Sequence, residues 1–156
     1  MIPALATKIV PVILPQPVKD NTEFVGSKGS TPVSVDTAGF DHVEIYVMFG
    51  AMDIKVATLK LWACDAAAGV YAAVDEGDFG TPDKLPIDTD DGKVFAWHIN
   101  KLSSLGRRYY QIEAIPGDGA VGTYAVAWAV LSRAAQEPNS AAARGLKTEL
   151  FVPANP

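Results

Sequence analysis

Residues 42–49 read HVEIYVMF, and the phase of their apolar side chains decides the fold class. Val43, Ile45, Val47 and Phe49 occupy every second position, with His42, Glu44, Tyr46 and Met48 between them. Successive side chains of an extended chain point to opposite sides, so this spacing gathers four apolar groups on one face. A helix would spread the same four round its circumference. The segment is therefore predicted to be a strand with one buried face.

The flanking segments repeat the pattern. Gly50-Ala51-Met52-Asp53 turns the chain, and 55–65 follows with Ala57, Leu59, Leu61 and Ala63 inward. Thr58, Lys60, Trp62 and Cys64 then point outward, a phase set by Lys60. Upstream, Pro32-Val33-Ser34-Val35 begins a short strand that ends at Asp36-Thr37-Ala38-Gly39, and 22–31 is a polar loop. Downstream, 70–74 is a short apolar strand and 75–93 a long acidic loop punctuated by Gly77, Gly80, Pro82, Pro86 and Gly92. The segment 94–100 places Phe95, Trp97 and Ile99 on one face, and 108–115 does the same with Tyr110, Ile112 and Ala114. Residues 101–107 connect these two. Pro116-Gly117-Asp118-Gly119 is a turn signal, and 123–132 is the last long strand.

About seven short strands between Gly/Pro turns, with almost no helical period, point to an all-β fold: an antiparallel β-sandwich. The best helical candidate is Ser140–Leu146. The chain of 156 residues is read as one sandwich domain over 33–133. A proline-spaced extended arm (1–32) precedes it and an extended arm (134–156) follows. Pro3, Pro11 and Pro15 interrupt the apolar N-terminus and Lys8 splits it, so an extended arm is expected there rather than a targeting or spanning segment.

Composition narrows the function. A formal charge of -5 argues against the basic footprint of a nucleic-acid binder. One cysteine, Cys64, cannot close an internal disulfide and is expected to serve packing. His42 and His98 both fall on outward positions of strands and are expected to be surface residues. There is no G-x-S-x-G elbow, and Gly117-x-Gly119 leads to a strand rather than a phosphate-binding helix. The run Asp88-Thr89-Asp90-Asp91-Gly92 lacks the glycine and glutamate spacing of an EF-hand and is expected to be a turn in which Asp-Gly supplies a positive φ. No catalytic residue, cofactor or metal ligand is expected, and no enzymatic activity. Arg107 and Arg108 stand at a strand entrance, with Glu113 and Glu44 as candidate partners; Tyr110 is expected in the core and Tyr109 outside it.

The order of the motifs carries a further signal. VDTAGFDHVEIYVMFGAMD (35–53), LKLWACDAAAGVYAAVD (59–75), DGKVFAWHINKLSSLGRRYYQIEAIPGDGAVGTYAVAWAVLSR (91–133) and ARGLKTELFV (143–152) follow one another. The T-x-G-F-x-x-V-x-I-x-V-x-x-G-x-x-D opening, the L-x-x-x-x-R-R-Y entrance, the G-x-x-G-T-Y…A-x-L-S-R strand and the closing L-F-V together resemble the head decoration, or cement, proteins of tailed bacteriophages. The similarity spans 36–152. It implies a jelly-roll-like sandwich, often trimeric, made in the host bacterial cytoplasm and seated on the outside of the capsid, with the major capsid protein as partner. It carries over no catalytic residue and implies neither a nucleic-acid nor a membrane partner.

Ile9, Val10, Val12 and Ile13 in one arm and Leu150 and Phe151 in the other (with Val152) are expected to seek a neighbouring subunit, because an extended arm cannot bury them alone. Arg144 and Lys147 are candidate partners for acidic groups on the capsid, with Arg107 and Arg108 behind them. The competing reading is a carbohydrate- or receptor-binding sandwich of a phage head fibre or tail, with Trp62, Tyr46 and Tyr109 as aromatic platforms.

Overall fold

Every segment with a period of two becomes a strand. The structure, a computed structural model, describes residues 7–81, 83–100, 107–134 and 145–146. Its strands are β1 (Lys8–Ile13), β2 (Val35–Asp36), β3 (Phe40–Phe49), β4 (Thr58–Cys64), β5 (Ala72–Asp78), β6 (Val94–Asn100), β7 (Tyr109–Ile115) and β8 (Ala125–Ala134). They form two four-stranded sheets, ordered β1-β8-β3-β6 and β2-β7-β4-β5. All the pairings are antiparallel.

The pairing is nested: β1 lies on β8, β2 on β7, β3 on β6 and β4 on β5. A single long hairpin, folded over on itself, produces that order. With β3 also on β8 and β4 on β7, the hairpin wraps into two packed sheets, the jelly-roll form of the β-sandwich.

Alternation fills the space between the sheets. Val43, Ile45, Val47 and Phe49 of β3 are all at most 1% exposed, and Leu59 and Leu61 of β4 and Ile112 and Ala114 of β7 at most 2%. Across β8 the core positions are Ala125, Ala127, Ala129 and Leu131. Trp97 of β6 is buried, and its indole N–H donates to the Gly77 carbonyl at 2.9 Å, tying the first sheet to the second across their β6 and β5 edges. An indole N–H left unpaired there would cost about 1–3 kcal/mol.

The short strand expected from Pro32 forms only at Val35–Asp36, and two further segments differ from the sequence expectation. The first is the N-terminal arm, whose residues 8–13 are an edge strand of the sandwich's own first sheet. A register shift between Pro11 and Ile13 turns the consecutive Val12 and Ile13 side chains both inward, each 2% exposed. Pro11 sits where proline is tolerated, on an edge strand at a bulge. The second is the strand expected at 70–74, which forms over Ala72–Asp78 instead, leaving Val70 94% exposed. The strand continues into the acidic segment because its partners, Lys60 opposite Asp78 and Trp97 on Gly77, hold it there.

The polar stretch 22–31 is a loop, as expected, but it is packed against the sandwich. Phe24 is fully buried beside Phe49 with ring centroids 6.2 Å apart. The Lys28 amide donates to the Ile112 carbonyl, and the buried Ser27 hydroxyl oxygen accepts from the Ala114 amide at 2.9 Å. The loop thus satisfies backbone groups of β7 beyond the short β2. The helix expected within Ser140–Leu146 and the strand-like piece at 150–152 lie outside the described residues, except that Gly145 has a positive φ of 78° and packs on the Ile9 backbone of β1.

Candidate functional site

The two outer faces of the sandwich differ in chemistry. On the first sheet, register sets the outward side chains in rows. Ile9, Val130, Glu44 and His98 form one; Pro11, Trp128, Tyr46 and Ala96 the next; Val126, Met48 and Val94 a third. Tyr46 and Trp128 stack with centroids 5.6 Å apart. Val94 is 53% exposed and the other side chains of that third row are half-buried. Two of the three rows carry no charged side chain. The remaining polar groups, Glu44, His98, His42, Ser132 and Asn100, gather at one end of the face.

On the second sheet the outward groups are paired ions and capped rings. Lys60 bonds Asp78 at 3.2 Å, Trp62 donates to Glu113 at 2.8 Å, and the Lys28 ammonium sits 3.9 Å over the Trp62 ring. Arg108 lies over Tyr109 at 4.9 Å. The second face is charged and paired, whereas the first is largely apolar.

Of the three aromatics expected as platforms, Tyr46 alone lies on the outer face of the first sheet. Trp62 and Tyr109 are on the opposite sheet, each covered by a cation, so the three form no common surface. Trp128, the ring that does join Tyr46, is the residue sequence reasoning missed. Its signal was present: in AVAWAVL (125–131) both phases of the alternation are apolar, and a strand apolar on both sides has no solvated face.

The arginine pair is engaged. Arg107 bonds Asp65, and Arg108 holds Asp36 through Nε and a terminal nitrogen, both at 2.9 Å. The partners expected from sequence are taken elsewhere: Glu113 accepts from Trp62, and Glu44 lies among Tyr46, His42 and His98. The Arg108 hydrogen bonds hold the Asp36 carboxyl below its ordinary value of 3.8, outweighing burial, which pushes the other way. A depressed carboxyl contributes stability above its unfolded value and loses it as the pH falls through the folded one. Asp36→Asn is therefore expected to melt below wild type near neutral pH, with the gap closing in acid below 3.8. Thermal melts of both proteins across that range check it.

The N-terminal candidates divide. Val10 faces the core and Val12 and Ile13 are within it, so none of these three is free for a neighbour; Ile9 faces outward beside Val130 on the apolar face. Arg144, Lys147, Leu150 and Phe151 lie outside the described residues. In the acidic turn, Gly92 has φ 70°, as expected of Asp-Gly. Asp90 bonds locally to Lys93 and the Ile87 amide, and Asp91 accepts from the Met52 amide in the connection after β3.

At the polar end of the apolar face, His42 and Glu44 are two residues apart on β3, and His98 is Glu44's partner across the β3–β6 ladder. All three therefore project from the same side. Glu44 Oε1 lies 3.0 Å from His98 Nδ1 and 3.5 Å from His42 Nε2, while the Tyr46 hydroxyl donates to Oε2 at 2.9 Å. Burial acts to raise the Glu44 carboxyl, but the bonds from Tyr46, His42 and His98 together outweigh it and hold it low; the same contact with Glu44 raises the Tyr46 hydroxyl. A cleft of ≈ 860 Å³ lies between the sheets beside β5 and β6, with Phe79, Trp97, Ile99 and Tyr110 in its lining.

No family model matches the chain, and no curated protein matches it. Among solved structures, the SPBc2 prophage-derived protein YomS is similar over 81% of this chain and 93% of that one, at 14% identity and a TM-score of 0.40. A likeness of that size carries no argument; the jelly-roll assignment rests on the nested strand pairs.

Proposed function

We propose that this chain is a non-enzymatic structural protein of a tailed-phage virion that docks on the outside of the assembled capsid and stabilises contacts between capsomers. The observation that carries the reading is the unequal chemistry of the two outer faces. One sheet presents Trp128, Tyr46, Met48, Val126, Val130 and Val94 with no charge among them; the other presents paired ions. An interface core is depleted in charge and enriched in aromatics and methionine, which is the composition of the first face. The occupant is taken to be the major capsid protein because of the motif order over 36–152 that resembles head decoration proteins. The same resemblance implies a trimer.

The stacked pair Tyr46–Trp128 is the expected centre of the contact. Trp128→Glu is expected to weaken binding to expanded, undecorated capsids by about 2 kcal/mol or more, roughly 30-fold. Thr58→Glu, on the opposite sheet, is expected to bind as wild type. Sedimentation of each variant with capsids measures both, with circular dichroism checking that the fold persists. Equal binding by the two variants would remove the apolar face from the account.

A half-buried aromatic pair on an outer face can also stack on a sugar ring, which is what the carbohydrate-binding reading requires. Glycan binding that Trp128→Glu abolishes, without any capsid binding by wild type, would favour that reading instead.

A further inference from the structure

We propose that His42, Glu44 and His98 form a three-ligand site for one divalent transition metal of the zinc class, on the outer face of the first sheet. This stands apart from the capsid reading and does not rest on it.

The geometry comes from the sheet. Residues i and i+2 of β3 project from one side, and the ladder sets His98 opposite Glu44, so three metal-binding side chains converge without any loop to order. Their ligand atoms all lie within 4.8 Å of one another. A tetrahedral zinc ion with ligands at 2.0–2.2 Å needs neighbouring ligand atoms about 3.3–3.6 Å apart. Of the two nitrogen-to-Glu44 separations, 3.5 Å falls within that spacing and 3.0 Å lies a few tenths of an ångström short of it. The imidazoles already lie nearly parallel, 21° apart with centroids 6.4 Å apart, and both turn a nitrogen toward the same carboxylate oxygen.

The surroundings match as well. Tyr46 donates to the other oxygen, Oε2, which orients the carboxylate and leaves Oε1 for the ion. Outer hydrogen bonds of this kind typically tune metal sites by 10–100-fold. β3 is flanked by β8 and β6, so two of the ligands stand on a strand held on both sides. The ligand set selects the metal: two imidazoles and one carboxylate suit zinc, copper, nickel or cobalt, whereas calcium and magnesium take oxygen. His98 is 61% exposed, so the remaining position is open to water or to a donor from a bound partner. Three protein ligands with one open position is the arrangement of a zinc site that stays accessible.

The chain has two histidines and one cysteine, so assignment is unambiguous. Untagged, full-length protein cleared of metal is titrated with zinc chloride by calorimetry, and with cobalt(II) by visible spectroscopy. The expected result is one equivalent per chain, the absorption of a four-coordinate cobalt site, and movement of both imidazole proton resonances. His98→Gln and His42→Gln are each expected to weaken zinc more than tenfold, Tyr46→Phe to weaken it roughly 10–100-fold, and Cys64→Ser to leave it unchanged. Zinc binding that survives both histidine substitutions, that is lost with Cys64→Ser, or that wild type does not show would overturn the site. Because His98 is exposed, His98→Gln keeps the fold, and the outcome is read on folded protein.

Discussion

Deleting residues 1–13 is expected to abolish the cooperative unfolding transition rather than trim a dispensable arm. The deletion takes away β1, an edge strand hydrogen-bonded to β8 from Lys8 to Ile13. It also empties the places of Val12 and Ile13, each 2% exposed. Burial of one such side chain contributes about 1.5–3 kcal/mol, against a total stability of about 5–15 kcal/mol for a domain. The loss of β1 also unpairs the outer edge of β8, a strand with apolar groups on both sides, and so exposes an edge prone to aggregate. A single substitution isolates the packing part. Ile13→Ala is expected to cost about 2–5 kcal/mol, a fall in Tm of roughly 4–20 °C, whereas Ile9→Ser, on the outer face, is expected to leave Tm nearly unchanged. Calorimetry on the three proteins decides it. A deletion variant that melts like the full chain would mean that β1 is not part of the sandwich in solution.

Gly26→Ala is expected to be the most damaging change in the long loop between β1 and β2. Gly26 has φ 100°, a backbone region closed to side chains, and a Cβ there would stand 2.1 Å from the Val12 carbonyl oxygen. The obstacle is backbone, so no rotamer relieves it. Retreat is blocked because the Gly26 amide donates to the Ser30 carbonyl and its own carbonyl accepts from Val33. Backbone strain and the clash each cost roughly 1–3 kcal/mol. Because the same loop seats Phe24 and the Ser27 hydroxyl, the damage is expected to reach β7. Hydrogen exchange at the Ala114 and Lys28 amides should rise together in the variant. Unchanged Tm and protection at both would show that the loop does not clamp the sheet.

These two segments also mark where the sequence stops being legible. The strands at 40–49, 58–64, 94–100 and 109–115 announce themselves because apolar groups recur at every second position, which is a local property. β1 does not, because prolines break its period and its partner lies over a hundred residues away; the bulge that turns both Val12 and Ile13 inward is a tertiary fact. Phe24 is hidden among polar neighbours, and what buries it is the end of β7. The nested pairing of eight strands leaves no trace in alternation; the resemblance implied a jelly-roll-like form but no strand order. The same holds at the surface. His42 and Glu44 were visible as outward neighbours on one strand, but His98 joins them only through the β3–β6 register. The salt bridges of Arg107 and Arg108 likewise depend on which strand entrance meets which loop.

The claim that this protein is a capsid-binding structural unit is tested most directly by mixing wild-type protein with expanded, undecorated capsids of a phage that carries this gene. After sedimentation, the protein in the pellet is measured as its concentration rises. The expected result is saturable co-sedimentation at a fixed number of copies per capsid, with shells that dissociate at a higher temperature than bare ones. Protein that stays in the supernatant as a folded monomer at every concentration would contradict it.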